Sequence, residues 1–319
     1  MRILVTGAAG FIGADLSQKL VQAGHEVVGL DNVNDYYDVQ LKRDRLTNLE
    51  GLENFIFTEF DICDSNQLNE LFRENQFDRV VHLAAQAGVR YSLEKPQVYI
   101  DSNLVGFGNI LEACRNYGNL PLIYASSSSV YGANRSYPFH ESDRVDNPIS
   151  LYAATKKANE LMAHSYSSLY GISTIGLRFF TVYGPWGRPD MAPMRFAKRM
   201  LAGEPIPVYN NGDMIRDFTY IDDIIEGVLR VIEKEMLPSY DIYNIGRGQP
   251  VPLMEFVEAL EKHLEVEADI HYLPMQDGDV PRTMADITKL ERDFGYAPCV
   301  NIDEGVRHFA SWYKNYCRA

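Results

Sequence analysis

Tyr152 and Lys156 are four positions apart in a stretch with helical spacing, so both side chains are expected on one face of a helix. Four consecutive serines, Ser126 to Ser129, follow an apolar run. A tyrosine with a pKa of about 10 is a poor base at neutral pH, and a neighbouring positive charge lowers that pKa. Together these residues predict proton transfer at a hydroxyl group, with a serine hydroxyl holding the reacting oxygen.

Neither signal is specific on its own. The chain has 20 tyrosines, so a Tyr/Lys spacing of four arises readily by chance. A run of serines after an apolar strand is also typical of a polar turn. The prediction of chemistry therefore depends on whether a ligand site lies beside these residues.

A glycine-rich turn near the N-terminus predicts such a site. Residues 6–13 read TGAAGFIG, between an apolar run and a helical pattern. Gly7 suits a tight turn, Gly10 allows the backbone to approach a pyrophosphate, and Gly13 allows close packing of helix on sheet. The free N–H groups at the helix start, from Gly10 through Phe11, Ile12 and Gly13, favour bound phosphate. Spaced glycines also occur in ordinary turns, and only the flanking strand and helix make dinucleotide binding the better interpretation.

An acidic residue at the end of the second predicted strand indicates which dinucleotide is bound. Asp31 lies 18 positions past Gly13 and is followed by Asn32. A carboxylate there binds the ribose hydroxyls and repels a 2′-phosphate, which favours NAD over NADP. The alternative is a solvated turn residue.

Two further strand ends are predicted to border the same crevice. One carries Asp61 and Ile62, and the other carries Leu83, Ala84 and Ala85. Small side chains at the carboxyl end of a parallel strand leave room for a ligand. Close packing of helix on sheet explains the alanines equally well.

The elements that must position these residues alternate between strand and helix. This alternation, with Val, Ile and Leu on both faces of the strands, predicts an α/β fold with a Rossmann-type doubly wound parallel sheet. Strands are predicted at residues 2–6, 26–30, 55–60, 79–83, 120–126 and 173–179, and helices at residues 11–23, 67–73, about 98–116 and 152–170.

The second part of the chain differs in amino-acid composition. Pro, Gly, Asp and Arg become dense at residues 184–193 and 203–216, and helical patterns return at residues 222–233, 254–264 and 302–316. We expect an NAD-binding domain at residues 1–180 and a smaller α/β substrate-binding region at residues 181–319, with chain crossings between them.

Composition excludes several classes of function. With 30 Lys+Arg and 44 Asp+Glu the formal net charge is −14, which disfavours nucleic acid and anionic membrane surfaces as partners. No apolar run is long enough to span a membrane, and no signal peptide is recognisable. Cys63, Cys114, Cys299 and Cys317 are scattered, and the histidines do not cluster, so we expect a reduced, cytoplasmic protein without a metal site.

Several motifs in order along nearly the whole chain resemble one family. They are TGAAGFIG, HLAAQAGVR, YASSSSVYG, YAATK and LRFFTVYGP, together with Asp31. This set is similar to the extended short-chain dehydrogenase/reductases, in the NAD-dependent epimerase/dehydratase branch. The resemblance implies bound NAD, a nucleotide-sugar substrate and a homodimer built on the helices near 98–116 and 152–170. It also implies that Ser127, Tyr152 and Lys156 are catalytic, and that Lys156, Asn103 and Phe179 lie against the cofactor.

The two residues that follow the implied catalytic serine indicate the branch of the family. Dehydratases carry Asp-Glu there and decarboxylases a Glu at the second position, whereas this chain has Ser128 and Ser129. The segment GPWGRPDMA is similar to that of the UDP-glucuronate 4-epimerases. Hydroxyls of Ser128, Ser129 and Thr181 are able to donate to a sugar carboxylate that Asp or Glu would repel, with Arg188 as a counter-charge. UDP-glucose/UDP-galactose 4-epimerase remains the alternative, followed by a decarboxylase and a non-catalytic NAD-binding protein.

Positive residues from separate segments are predicted to bind the diphosphate. The candidates are Arg216, which matches a position that the family uses, and Arg282. For Arg282, a salt bridge at the protein surface is an equally good explanation. Asp279 is expected near the uridine ribose and Arg90 near the sugar or its phosphates. The aromatic pairs Tyr36-Tyr37 and Phe179-Phe180 are interpreted as packing, the second pair close to the nicotinamide.

Overall fold

The structure is a computed structural model that describes residues 1–276 and 278–317. The predicted C-terminal region therefore includes Asp277, Arg318 and Ala319, which lie outside the described residues. The strands are β1 (Arg2–Thr6), β2 (Glu26–Asp31), β3 (Phe55–Glu59), β4 (Arg79–His82), β5 (Leu122–Ser127), β6 (Thr174–Phe179), β7 (Thr181–Tyr183), β8 (Ile206–Val208), β9 (Ile215–Arg216), β10 (Phe218–Tyr220), β11 (Tyr240–Ile245), β12 (Val251–Pro252) and β13 (Ile270–Tyr272).

The helices alternate with the strands in the first half of the chain and dominate the second half. They are α1 (Phe11–Gln22), α2 (Val39–Thr47), α3 (Ser65–Glu74), α4 (Tyr91–Glu94), α5 (Pro96–Ile100), α6 (Phe107–Asn116), α7 (Leu151–Tyr170), α8 (Ala192–Leu201), α9 (Ile221–Glu233), α10 (Leu253–Leu264), α11 (Thr288–Phe294) and α12 (Ile302–Tyr316). Within the described residues, no helix is both long and apolar enough to cross a bilayer.

The main sheet has seven parallel strands in the order β3-β2-β1-β4-β5-β6-β11. Strand order reverses between β1 and β4, which makes a crevice at their carboxyl ends, where ligands bind in doubly wound sheets. The predicted Rossmann-type fold is confirmed.

Alternate residues of β1 are buried on opposite faces of the sheet. Ile3 and Val5 join an apolar cluster with Leu16 and Leu20 of α1, whereas Leu4 joins a second cluster with residues of α3 and α6. Helices thus cover both faces, which explains why these strands read as continuous apolar runs.

The structure differs from the sequence-based expectation at several elements, and two of these differences affect the main sheet or the helices beside it. The helix predicted at residues 98–116 is divided into α5, a π-helical segment at Asp101–Gly106, and α6. Strand β11 joins the main sheet beside β6, although it follows residue 180 in the chain. Strand β11 lies at the sheet edge and is only half buried over its first residues, so it lacks a continuous apolar run.

Candidate active site

A cavity of about 1160 Å³ opens at the carboxyl ends of the central strands and extends to α8. Nearly all the predicted site residues line it. They are Gly7, Gly10, Phe11, Ile12, Gly13, Asp31, Asn32, Asp61, Ile62, Leu83, Ala84, Ala85, Arg90, Ser127, Ser128, Ser129, Tyr152, Lys156, Phe179, Thr181, Arg188, Arg216 and Asp279.

The glycine turn after β1 has the geometry of a dinucleotide cradle. Gly7 has φ +76°, and a Cβ on it would lie 2.8 Å from the backbone nitrogen of Ala84. A Cβ on Gly13 would lie 2.0 Å from the carbonyl oxygen of Gly7. Gly10 is the N-cap of α1, and it has no side chain that could accept hydrogen bonds from the free N–H groups of the first helical turn. The turn therefore presents backbone donors at a helix start that no capping side chain occupies, which suits a pyrophosphate.

Asp31 is fixed at the end of β2 with its carboxylate at the cavity wall. Its oxygens accept hydrogen bonds from the backbone N–H groups of Ala9 (3.1 Å) and Val33 (2.8 Å). Burial raises the pKa of Asp31, and these bonds oppose the rise. Carboxylate oxygens have further acceptor capacity, so the group is still able to bind ribose hydroxyls. Beside it the Asn32 amide donates to Asp61 at 2.6 Å, which joins two of the predicted strand ends.

Helix α7 carries Tyr152 and Lys156 to the carboxyl end of β5. Its N-cap Ser150 accepts from the N–H of Ala153, which fixes where the helix begins. The Lys156 ammonium donates to the carbonyl of Ala125 at 2.9 Å, directly before the serine run. The structure therefore brings the pair and the serines together, as the sequence predicts.

Burial dominates the electrostatics of the Tyr/Lys pair. It raises the pKa of Tyr152, a rise that the Ser127 hydroxyl and the Arg188 guanidinium oppose. It also lowers the pKa of Lys156 to about 8. The sequence predicts the opposite, a tyrosine pKa lowered by a neighbouring positive charge. The protein groups alone do not produce it, because desolvation of the phenol outweighs them.

Ser127 is oriented by its own turn. Its Oγ accepts from the N–H of Ser129 at 3.1 Å and donates to the Ser129 hydroxyl at 3.1 Å. Ser128 begins a short 3₁₀ turn that ends at Tyr131. The three hydroxyls at residues 127–129 therefore lie on consecutive residues at the strand end, beside Tyr152 and with Thr181 in the same cavity wall.

Arg188 is paired inside the cavity with a carboxylate that sequence reasoning missed. Its Nε and one Nη donate to Asp190 at 3.1 and 2.5 Å, and the Tyr36 hydroxyl donates to the same carboxylate at 3.2 Å. Burial opposes ionisation of Asp190, yet Arg188 holds its pKa below the usual range. Tyr36, interpreted from the sequence as packing, is thus part of the site. Its contact with Asp190 spans 154 positions, so local spacing gave no signal.

Positive residues converge at the other end of the cavity. Arg216 donates to Asp279 at 2.9 Å, which joins two residues predicted to bind the same nucleotide. The exposed Arg90 packs over the ring of Tyr209 at 5.1 Å. Arg195 and Lys198 of α8 also line the cavity. The sequence analysis does not identify them, because it does not predict α8.

Two predicted residues lie outside the cavity wall. Asn103 is 1% exposed. Its amide oxygen accepts a hydrogen bond from the backbone N–H of Gln86 at 2.8 Å. Its amide nitrogen donates to the carbonyl of Gln86 and to the hydroxyl of Thr155, both at 3.0 Å. It therefore holds the segment after β4 against α7. Arg282 is exposed, and its guanidinium lies over the ring of Tyr137 at 5.5 Å. In the described part of the chain, no His, Cys, Asp or Glu cluster has a metal-binding arrangement.

His82, at the end of β4, connects this strand to β1. Its Nδ1 lies 2.8 Å from the Thr6 hydroxyl, which accepts from the N–H of Ala84. A neutral His82 with its proton on Nε2 accepts the hydroxyl proton of Thr6 at Nδ1, which satisfies both groups. Burial and, to a smaller extent, Lys156 lower the pKa of His82 from 6.5 to about 3.

Replacing His82 by asparagine is expected to weaken the acid dependence of stability. Between pH 6.5 and about 3 the unfolded chain binds a proton on His82 that the folded chain does not. The free energy of unfolding therefore falls with falling pH, by about 1.4 kcal/mol per unit. Urea unfolding of both proteins at pH 7 and pH 5 should give a wild-type loss about 2 kcal/mol larger than that of the variant. Equal losses would contradict the assignment of a buried neutral imidazole.

A doubly wound parallel sheet with a glycine turn after its first strand, and a Tyr/Lys pair beside a serine, defines a protein of the short-chain dehydrogenase/reductase type. The sequence profile of the NAD dependent epimerase/dehydratase family matches residues 3–246, and the chain belongs to this family.

Relatives are similar over nearly the whole chain. Protein CapI of Staphylococcus aureus is 53% identical, with 99% of each chain covered. UDP-glucuronate 4-epimerase 1 of Arabidopsis thaliana is 48% identical over 98% of this chain and 77% of that protein. The crystal structure of UDP-glucuronic acid 4-epimerase from Bacillus cereus, in complex with UDP-glucuronic acid and NAD, is 36% identical with a TM-score of 0.94 and covers 99% of this chain and 100% of that one.

Proposed function

We propose that this protein is an NAD-dependent isomerase that converts UDP-glucuronate to UDP-galacturonate by epimerisation at C4 of the sugar, through a 4-keto intermediate. The observation that carries the proposal is the wall beside Tyr152. It presents the hydroxyls of Ser127, Ser128 and Ser129 together with Arg188, and neither residue 128 nor residue 129 is a carboxylate. Hydroxyls and a guanidinium suit a sugar carboxylate, and elimination lacks its acid and base at these positions.

The residues of the chain divide the work of this reaction. Tyr152 takes the proton of the C4 hydroxyl and later returns a proton to the same oxygen. Ser127 donates to that oxygen and holds it in line with the phenol. Lys156, whose ammonium is fixed on the carbonyl of Ala125, would place a positive charge beside the cofactor ribose. When bound, NAD accepts hydride from C4 and returns it to the opposite face after the keto sugar has turned over.

The cofactor would be held by the residues around the glycine turn. The backbone of residues 7–13 binds the pyrophosphate, Asp31 the adenosine ribose, and the walls at residues 61–62 and 83–85 enclose the bases. The substrate diphosphate would lie between Arg90 and Arg216, which face the cavity from separate segments. Arg188 and Arg216 lie after residue 180 and support a smaller substrate-binding region, whereas the three serines, Tyr152 and Arg90 would contribute to the same site from the proposed cofactor domain.

An assay without added nicotinamide cofactor tests the proposal. Purified protein is incubated with UDP-glucuronate, and the anomeric proton signals of both epimers are followed by NMR. We expect UDP-galacturonate to form to an equilibrium mixture, because the cofactor ends unchanged. Release of stoichiometric NADH or carbon dioxide would overturn the proposal. Faster turnover of UDP-glucose than of UDP-glucuronate would favour the UDP-glucose/UDP-galactose alternative, and NAD binding without turnover would favour a non-catalytic protein.

Replacing Asp31 by serine is expected to relax the preference for NAD over NADP. The wild-type carboxylate repels a 2′-phosphate, and like charges brought together cost several kcal/mol. The cofactor is removed and added back, and the affinities for NAD and NADP are measured. The preference for NAD should fall by at least about tenfold. Asp35→Ser is the matched control, because Asp35 is an exposed acid four positions away that does not line the cavity. An unchanged preference in Asp31→Ser would remove the carboxylate from this role.

The protein is further proposed to be a cytoplasmic homodimer that binds neither nucleic acid nor membranes. The dimer is supported by large apolar side chains exposed on neighbouring helices: Leu161 and Leu169 of α7 are 59% and 70% exposed, and Val105 beside α6 is 49% exposed. Large exposed apolar side chains on two helices that pack together are typical of interfaces. Sedimentation velocity is expected to give twice the chain mass of 36.2 kDa.

A further inference from the structure

Arg45 of α2 is buried with no acidic partner, which is unusual for an arginine. Its side chain is 1% exposed, and among the described residues it forms no ion pair. All five of its N–H donors are nevertheless used. Nε donates to Trp186 O (3.1 Å), one Nη to Ala9 O (3.0 Å) and the Tyr37 hydroxyl (2.6 Å), and the other Nη to Trp186 O (2.6 Å) and Gly187 O (3.2 Å). A planar guanidinium has just enough donors for this set.

These acceptors lie on two segments with separate tasks. Ala9 belongs to the glycine turn, between Gly7 and Gly10. Trp186 and Gly187 belong to the 184–190 loop, which carries Arg188 and Asp190 into the cavity. One side chain thus fixes the distance between the turn proposed to bind the cofactor and the loop proposed to bind the sugar carboxylate.

The 184–190 loop has a backbone conformation that needs such support. Trp186 has φ +62°, a left-handed conformation that bulky residues rarely adopt and that costs of order 1–3 kcal/mol. Its carbonyl accepts two of the bonds from Arg45. Its ring packs at 5.2 Å on both Trp312 and Tyr316 of α12, and the Tyr316 hydroxyl donates at 2.6 Å to Asp44, the neighbour of Arg45 in α2.

We propose that Arg45 is a positioning residue that holds the 184–190 loop against the glycine turn and so places Arg188 for the carboxylate of the substrate. The inference rests on the proposed function and assigns to Arg45 a role in substrate choice without contact to the substrate. Lysine is no substitute, because a single ammonium has three donors at one point and does not reach both segments as the guanidinium fork does.

The test compares two ligands that differ in the sugar carboxylate. Dissociation constants of UDP-glucuronate and of UDP are measured by calorimetry at saturating NAD for wild type, Arg45→Lys and Arg45→Met. We expect the preference for UDP-glucuronate over UDP to fall by about tenfold in both variants, with UDP affinity nearly unchanged. Arg43→Met is the matched control: Arg43 lies on the same helix, and its pairing with Glu59 is exposed, so the wild-type preference should persist.

A second readout reports the loop directly. The chain has two tryptophans, Trp186 and Trp312, and they contact each other, so intrinsic emission reports this cluster. The emission should shift in Arg45→Lys and remain unchanged in Arg43→Met. The inference would be overturned if Arg45→Lys kept both the wild-type preference for UDP-glucuronate over UDP and the wild-type tryptophan emission. It would also be overturned if the affinities for the two ligands fell equally. Failure of the wild-type protein to prefer UDP-glucuronate over UDP would instead contradict the proposed function, and the emission of the variants would still test the hold of Arg45 on the loop.

Discussion

Replacing Tyr152 by phenylalanine is expected to lower kcat by about 10³-fold with the fold and bound NAD retained. The phenol is the group placed to exchange a proton with the sugar hydroxyl, and positioned acid–base groups contribute about 10²–10⁴-fold. Phenylalanine keeps the ring, which packs edge-on against Tyr99 at 6.1 Å, so packing is preserved. The remaining rate would come from binding and orientation.

The measurement is the rate of UDP-galacturonate formation, with circular dichroism and NAD content as checks of the fold. Tyr170→Phe is a matched control, because Tyr170 is the last residue of the same helix and its ring packs on Arg115 away from the cavity. It should keep nearly full activity. A Tyr152→Phe variant within tenfold of wild type would show that another group carries the proton.

The pH profile of wild type adds to this prediction. Burial raises the pKa of Tyr152 and lowers that of Lys156 to about 8, so the phenolate and the ammonium are both disfavoured in the protein alone. Binding of the positively charged nicotinamide ring favours the phenolate. The apparent pKa of kcat is therefore expected below the pKa of Tyr152 in the cofactor-free protein, and the phenylalanine variant should lack this titration.

Sequence reasoning succeeded where the chemistry is local. Gly7, Gly10 and Gly13 lie three residues apart in one segment, and their spacing together with the flanking strand and helix patterns predicts a phosphate-binding turn. Tyr152 and Lys156 share a face because helical geometry brings residues four apart together. Strand ends at Asp31, residues 61–62 and residues 83–85 follow from the parallel sheet, since all its carboxyl ends meet at one edge.

Contacts between residues that are distant in the chain are not predictable from the sequence. Asn103 is predicted to lie against the cofactor, and in the structure its amide bonds to Gln86 and Thr155. Arg282 pairs with Ile215 in an isolated β-bridge, and its guanidinium lies over the ring of Tyr137, two contacts that its local sequence does not predict. The contacts of Asp190 with Tyr36, and of Arg45 with Trp186, join segments more than 100 positions apart. No periodicity encodes such pairs.

The chain carries a net charge of −14, and some of its acidic residues pair with arginines inside the cavity. Arg188 and Arg216, which face the cavity, are each paired with an aspartate, Asp190 and Asp279. A buried cation without a partner is costly, so the carboxylates keep the site stable before an anion enters. A diphosphate or a carboxylate must therefore compete with protein carboxylates, which makes the site selective for groups able to accept several hydrogen bonds at once.

Replacing Gly13 by alanine is expected to abolish cofactor binding and, with it, activity. The added Cβ would lie 2.0 Å from the carbonyl oxygen of Gly7 and 2.7 Å from its carbonyl carbon. These are backbone atoms of the turn that offers its N–H groups to the pyrophosphate, so relief of the contact requires α1 to move away from the turn. The donors would then no longer converge on one point.

The variant should purify without NAD and show less than about 1% of wild-type activity, because loss of several charge-assisted hydrogen bonds costs more than 2.7 kcal/mol. Gly24→Ala is the matched control. It follows the same helix, has φ +86° and nothing within 4 Å of an added Cβ. It should lose about 1–2 kcal/mol of stability and keep its NAD. Gly24→Ala measures the cost of a left-handed backbone conformation, which the fold tolerates. Gly13→Ala measures the effect of a steric clash that changes the shape of the phosphate-binding turn. NAD retained at wild-type level in Gly13→Ala would mean that the turn does not hold the pyrophosphate.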